Sequence, residues 1–133
     1  SISLHAADDK LRSIIMPVNQ KYPLADLIKC CHEYIDRTNR QITFEYILVK
    51  NLNSDSTSAQ KLVMLLNSLR LAKVNLIPAN SIPESEIIPP HESDVASFKD
   101  YLFKAGLNVT LRKGRGQDID AACGQLRLKY EKD

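Results

Sequence analysis

Tryptophan is absent from this chain of 133 residues, glycine occurs four times, and cysteine occurs three times. Each shortage excludes something. A membrane-spanning helix needs roughly 18 or more consecutive apolar residues, and no run here approaches that length. The opening "SISLHA" lacks the positive-then-apolar order of a secretory leader. It also begins as if inside a strand and without an initiator methionine, as expected of a piece of something longer. The three cysteines are Cys30, Cys31 and Cys123, an odd set with two members adjacent. That is a poor disulfide framework and suits a reducing, cytoplasmic setting. They also lack the spacing of a zinc or iron–sulfur site. Charge of one sign is scarce as well. Eighteen Lys and Arg against 16 Asp and Glu leave a formal net charge of +2. Any contact with a polyanion must therefore come from a local patch.

What remains reads as a globular chain of one domain, residues 1 to 133, with 44% hydrophobic and 26% charged residues. Ile2 to Ala6 alternates apolar and polar residues as a short strand does. "DDKLRSIIMP" gives one or two helical turns stopped at Pro17. From Pro23 to about Arg37, the apolar positions Leu24, Leu27, Ile28, Cys31, Tyr34 and Ile35 form a helical stripe, with Pro23 near its first turn. "ITFEYILV", Ile42 to Val49, is β-branched, aromatic and nearly continuous in apolar character, as a buried parallel strand is. A helix over Thr57 to Leu69 follows, then the strand "KVNLIPA". "NSIPESEIIPPHES" is a long polar loop, and a third long helix runs from Glu92 to Ala105 with Gly106 placed to close it. "NVTLRKG" is a last strand, and the remainder, 117–133, is a tail.

The alternation of strand and helix at regular spacing predicts parallel α/β layering. In such folds ligands gather beyond the C-terminal ends of the strands. Ser3, His5, Glu45 and the segment Pro78 to Asn80 are the residues this rule singles out. Glu45 is a carboxylate in an otherwise apolar strand, read as an interior structural residue because buried acids are normally paired. Arg112, Lys113 and Arg115, interleaved with Gly114 and Gly116, make a compact basic patch. The glycines permit close approach to a phosphate, although a short charge run is more often simply solvated surface. Cys123 sits between small neighbours, Ala121, Ala122 and Gly124, either as a small hydrophobe or as a presented thiol.

The segments "SLHA", "LRSIIMPVNQKYPL", "TFEYILVKNLNSDS", "KVNLIPAN" and "LRKGRGQDIDAACGQL", in unbroken order, resemble the C-terminal half of a radical S-adenosylmethionine family. Its members methylate C2 of an adenosine in 23S ribosomal RNA, and bacterial members also act on transfer RNA. The resemblance implies a partial (β/α)6 barrel, about the last three β/α units plus a strand and a tail. It implies that Ser3, Leu4, His5 and Asn80 bind S-adenosylmethionine. It implies that Cys123 is itself methylated and passes its carbon to the RNA base through a radical generated from a second cofactor molecule. A carbon carried on sulfur that must reach both cofactor and base belongs on a tail with unobstructive neighbours. The patch Arg112, Lys113 and Arg115 becomes a candidate RNA-backbone contact beside it. The family's [4Fe-4S] cluster needs a C-x3-C-x2-C run that this sequence does not contain, so its ligands are expected upstream, and this chain alone is expected to be inactive.

Two other readings follow from the same residues. One is a non-catalytic RNA-binding or structural remnant of the fold. The other is a cysteine-dependent hydrolase pairing Cys123 with His5 or His91, against which neither histidine has a visible orienting partner. An exposed parallel edge in a half-barrel is also expected to pair with something, a second copy of the fragment included.

Overall fold

The structure, a computed structural model, describes residues 1–81 and 87–112. Four strands, β1 (Ile2–Ser3), β2 (Ile42–Leu48), β3 (Ala72–Pro78) and β4 (Asn108–Leu111), form one sheet in the order β1-β2-β3-β4. Every pairing is parallel. The connections are helical: α1 (Asp9–Ile15), α2 (Val18–Lys21) and α3 (Leu24–Thr38) before β2, α4 (Ser56–Leu66) before β3, and α5 (Glu92–Lys104) before β4. These are three β/α units and a closing strand, as the alternation predicts. No helix among the described residues is long and apolar enough to cross a membrane.

Period-two alternation sorts the strand side chains onto two faces. Phe44, Tyr46 and Leu48 of β2 and Val74 and Leu76 of β3 meet Cys31 and Ile35 of α3, Leu62 and Leu66 of α4, and Phe98 and Leu102 of α5. All three long helices thus cover one face, where Tyr46 and Phe98 stack with ring centroids 5.5 Å apart. The register aligns Ser3, Glu45, Asn75 and Thr110 in one row across four strands on the other face. That face is polar along its middle. Thr110 donates to Asn75 Oδ1 at 3.0 Å, and Arg112 Nη1 lies 3.8 Å from Glu45 Oε1. A parallel sheet coated by helices on one side and polar on the other is a segment of barrel wall, not a doubly wound sheet.

A second, smaller apolar cluster gathers toward the C-terminal ends of the strands, with Ile47, Val49, Ile77 and Ala79 against Ile15 and Met16 of the α1 end and Ile87. Ile87 and Ile88, ahead of α5, lie against this rim, where Lys50 N–H donates to the Ile88 carbonyl at 2.9 Å.

The helix ends follow local chemistry. Asp55 caps α4 by accepting from Ser58 N–H at 3.0 Å, and hydrogen bonding from Ser58, its side chain first and then its backbone, holds the carboxyl below the usual range. Asp55→Ala should cost about 1 kcal/mol, checked by urea unfolding at pH 7. Gly106 ends α5 at φ +94°, with Leu107 N–H bonded to Leu102 O and Gly106 N–H to Phe103 O. This is the paired closure that requires a left-handed residue. The start of α3 borrows its cap: Leu24 N–H donates to Asp9 Oδ1 of α1 at 2.8 Å.

β1 is shorter than the sequence suggests, two residues where Ile2 to Ala6 reads as a strand. The cause is His5, whose φ of +61° breaks the extended run. α2 occupies Val18–Lys21, between the two helical segments read from the sequence. The tail 117–133, with Cys123, and the residues Lys113 and Arg115 lie outside the described residues.

Candidate functional site

The C-terminal edge of the sheet is where the strand order brings His5, the end of β2 and Pro78–Asn80 together. Leu4 N–H continues the ladder to Glu45 O at 2.9 Å, and Ala79 N–H donates to Leu48 O at 3.0 Å. β2 stands between the other two segments. His5 bonds to Ile47, which pairs with Ile77, so His5 and Asn80 are offset along the strands as well as separated across β2. Asn80 is exposed just beyond β3. It borders a cleft of about 650 Å³ lined also by Pro78, Pro90, Val95, Lys99 and Leu111.

His5 is the most unusual residue of this edge. It is 1% exposed, and its backbone sits in the left-handed region. Ala6 N–H bonds back to Leu4 O at 2.8 Å, closing a three-residue turn around it. A γ-turn with positive φ at its centre is the rarer, strained form. The imidazole Nδ1 accepts from Ile47 N–H at 3.1 Å, so the ring proton resides on Nε2. Burial, and then the nearby positive charge of Arg12, push its pKa down to about 4, so the ring is neutral at physiological pH. Nε2 has no hydrogen-bond partner among the described residues. A buried donor without a partner is uncommon and marks a place where a ligand atom can complete the bond.

Around this turn lies a buried polar node that the sequence does not advertise. Arg12 donates through Nε to Leu4 O at 3.0 Å, through Nη2 to Ser3 O at 3.0 Å, and through Nη1 to Asn19 Oδ1 at 2.9 Å. Asn19 in turn donates to Ser13 Oγ and to Asp9 Oδ1. From the other side Asn53 donates to His5 O and Ile47 O, both at 2.7 Å, and accepts from Val49 N–H at 2.8 Å. The Tyr46 hydroxyl donates to the Asn53 carbonyl at 2.9 Å, and burial pushes that phenol's pKa up. Arg12, Asn19 and Asn53 look like surface residues in a linear reading. The only hint is that Arg12 falls within the apolar-rich run from Leu11 to Met16.

The residues singled out by sequence divide accordingly. His5 and Asn80 lie toward the C-terminal edge, whereas Ser3 stands lower on the sheet, level with Glu45 and Asn75. Leu4 is fully buried in the main core, so its side chain is unavailable to a ligand and only its backbone faces the turn. Glu45 lies in mid-strand on the polar face instead of at the strand end, paired with Arg112. Arg112 is accordingly drawn onto the sheet, with its N–H bonded to Leu76 O at 2.8 Å. Cys30 and Cys31 sit on α3, away from the strand edge; Cys31 is buried in the core and its thiol pKa is raised by that burial. No cluster of three or more His, Cys, Asp or Glu suited to a metal occurs among the described residues.

No family model matches the chain. It is 49% identical over 129 residues, 97% of its length, to a probable dual-specificity RNA methyltransferase RlmN of Pelotomaculum thermopropionicum, covering 35% of that protein. It is 48% identical to the protein of the same name from Clostridium acetobutylicum, covering 98% of this chain and 37% of the relative. The chain therefore spans little more than a third of the length of the curated relatives it matches. Among solved structures, the crystal structure of a radical SAM methyltransferase from Sphaerobacter thermophilus aligns with TM-score 0.84 and 43% identity, over 95% of this chain and 37% of that one. A domain of a pyruvate-formate lyase-activating enzyme from Bacteroides vulgatus aligns with TM-score 0.62 at 16% identity, a likeness of fold alone.

Proposed function

We propose, for a chain that corresponds to the C-terminal part of the radical S-adenosylmethionine RNA methyltransferase family, that it supplies half of a cofactor site and the methyl-carrying cysteine of such an enzyme. The substrate is RNA, with C2 of an adenosine in 23S ribosomal RNA and in transfer RNA as the methylated position. The observation that carries the reading is the match to a radical SAM methyltransferase across 95% of the chain at 43% identity. The hydrolase alternative fares worse. A histidine with a pKa near 4 and its Nδ1 already occupied is a weak general base. His91 stands at the start of α5, with its Nε2 3.3 Å from the Lys50 ammonium.

The described residues fit S-adenosylmethionine better than they fit an iron–sulfur cluster. Ser3, the His5 Nε2–H and Asn80 offer polar groups spread from the middle of the sheet to its C-terminal edge, as an elongated zwitterionic nucleoside needs. When bound there, the cofactor would supply the methyl group to the Cys123 sulfur and the radical equivalent that activates it. This chain's own residues bind and orient. The neutral imidazole can donate a hydrogen bond without adding charge beside a sulfonium, and the buried turn keeps water from that bond. For a [4Fe-4S] cluster the described residues offer nothing suitable, since Cys30 and Cys31 are neighbours on a helix and one is in the core. Cluster ligands would come from elsewhere in the full-length protein. With Arg112 engaged by Glu45, contact with RNA phosphates falls chiefly to Lys113 and Arg115.

The test is a peptide map of the full-length protein, purified anaerobically and under reducing conditions with its cofactor. The expected result is a mass increment of one methyl substitution on the Cys123 peptide, absent from Cys123→Ala. An unmodified Cys123 in a protein with its cluster assembled would reject the methyl-carrier role.

A further inference from the structure

The strained turn at His5 needs something to hold it, and the hold does not come from the residues that would touch a cofactor. A non-glycine residue at φ +61° is sterically disfavoured and persists only where its surroundings over-determine it. The determinants are visible. The guanidinium of Arg12 spans two consecutive carbonyls, Ser3 O and Leu4 O, and the second is the oxygen that closes the turn with Ala6 N–H. Its third nitrogen is tied to Asn19, which α1 anchors through Asp9 and Ser13.

Arg12 is 4% exposed, and no carboxylate lies within ion-pair distance of it among the described residues. A buried cation whose acceptors are two carbonyls and an amide oxygen, with only the more distant charge of Asp9 to favour it, is a costly choice for a fold that needed only a filler. What the choice provides is geometry. A planar fork can fix two successive carbonyl directions at once, which an ammonium cannot.

We propose that Arg12 is a positioning residue for the cofactor site: by clamping the Ser3 and Leu4 carbonyls it holds the His5 turn in its strained form and aims the unpartnered Nε2–H at the bound cofactor. This inference rests on the cofactor reading of the strand edge. It assigns to Arg12 the shape of that edge, not contact with the ligand.

The experiment uses the full-length protein with its cluster assembled and compares wild type, Arg12→Lys and Asn19→Ala. Two quantities are read: the Kd for S-adenosylhomocysteine by calorimetry, and the nitrogen shifts of the His5 ring by NMR without ligand. Arg12→Lys keeps the charge but cannot bridge both carbonyls. The expected result is a folded protein with a Kd roughly tenfold or more weaker, because a donor displaced by about an ångström loses its bond. The His5 nitrogens should move toward those of a solvent-exposed, tautomer-averaged imidazole. Asn19→Ala, which frees only the third anchor, should shift both readouts in the same direction by less.

A folded Arg12→Lys with wild-type Kd and unchanged His5 shifts overturns the proposal. So does a variant that no longer folds while Asn19→Ala leaves both readouts unchanged, since Arg12 would then serve the fold alone. Failure of wild type itself to bind the probe would instead reject the cofactor reading, while the ring shifts still report whether Arg12 controls the turn.

Discussion

Asn53→Ala should lower stability by about 3 to 5 kcal/mol, read as a fall in the urea midpoint with little change in slope. The size comes from what the side chain leaves behind. Asn53 is 1% exposed and completes three buried backbone groups at once: His5 O, Ile47 O and Val49 N–H. Alanine is too short to replace any of these bonds. Each buried group left without a partner costs about 1–3 kcal/mol, more than the net value of the bond that was lost. Water admitted to the gap would offset part of this. Asn53→Asp separates this account from a simple packing effect. It is close in shape, yet it replaces a donating amide with an oxygen facing two carbonyls. It should be at least as damaging as alanine at neutral pH and should recover partly in acid, once the carboxyl can donate a proton. A loss below about 1 kcal/mol for both variants would mean that the node is not what fixes the β1–β2 edge.

The same residue shows where reading a sequence stops. The strands β2 and β3 and the helices α3, α4 and α5 were legible because their apolar periods are strong and uninterrupted. The one-sided helix cover was not, because periodicity says that a face is apolar without saying which element covers it. Glu45 was readable as an interior acid, since a carboxylate in "ITFEYILV" has few alternatives. Its partner Arg112 belonged instead to an apparent surface patch with Lys113 and Arg115. Only the register, which carries β4 alongside β3, brings that guanidinium to within 3.8 Å of Glu45.

Arg12, Asn19 and Asn53 were missed for a related reason. Buried polar residues have the same letters as exposed ones, and what distinguishes them is a partner 4 to 48 positions away in the chain. The His5 turn hid behind a favourable local pattern. Alternation in "ISLHA" argues for a strand, and the positive φ that ends it is imposed by tertiary hydrogen bonds. The resemblance had pointed to Ser3, Leu4 and His5 as a unit, yet three different fates follow: a carbonyl held by Arg12, a side chain in the core, and a ring with one free donor.

That ring also makes stability depend on pH in a definite window. In the unfolded chain His5 should titrate near its ordinary 6.5, whereas in the folded protein it does so at about 4, because burial and the Arg12 charge oppose protonation. Between those values the unfolded state binds more protons, so stability rises with pH across the window and falls as pH drops through it. The contribution is fully present above about pH 6.5 and is lost by pH 4, with a limiting size of about 3 kcal/mol. Urea unfolding from pH 7.5 to 4 should show this loss approaching its steepest slope, about 1.4 kcal/mol per pH unit, between the two values. Asp55, whose carboxyl is held below its ordinary range, loses its contribution only at lower pH and so leaves this window clear. His5→Asn provides the control. Asparagine tolerates the left-handed backbone at this position and has no proton to gain. Its stability should be lower at pH 7 for want of the Ile47 N–H bond, but flatter over the window. If wild type and His5→Asn lose stability in parallel between pH 6.5 and 4, the ring is not buried neutral. The donor assigned to Nε2 would then have no fixed tautomer from which to act.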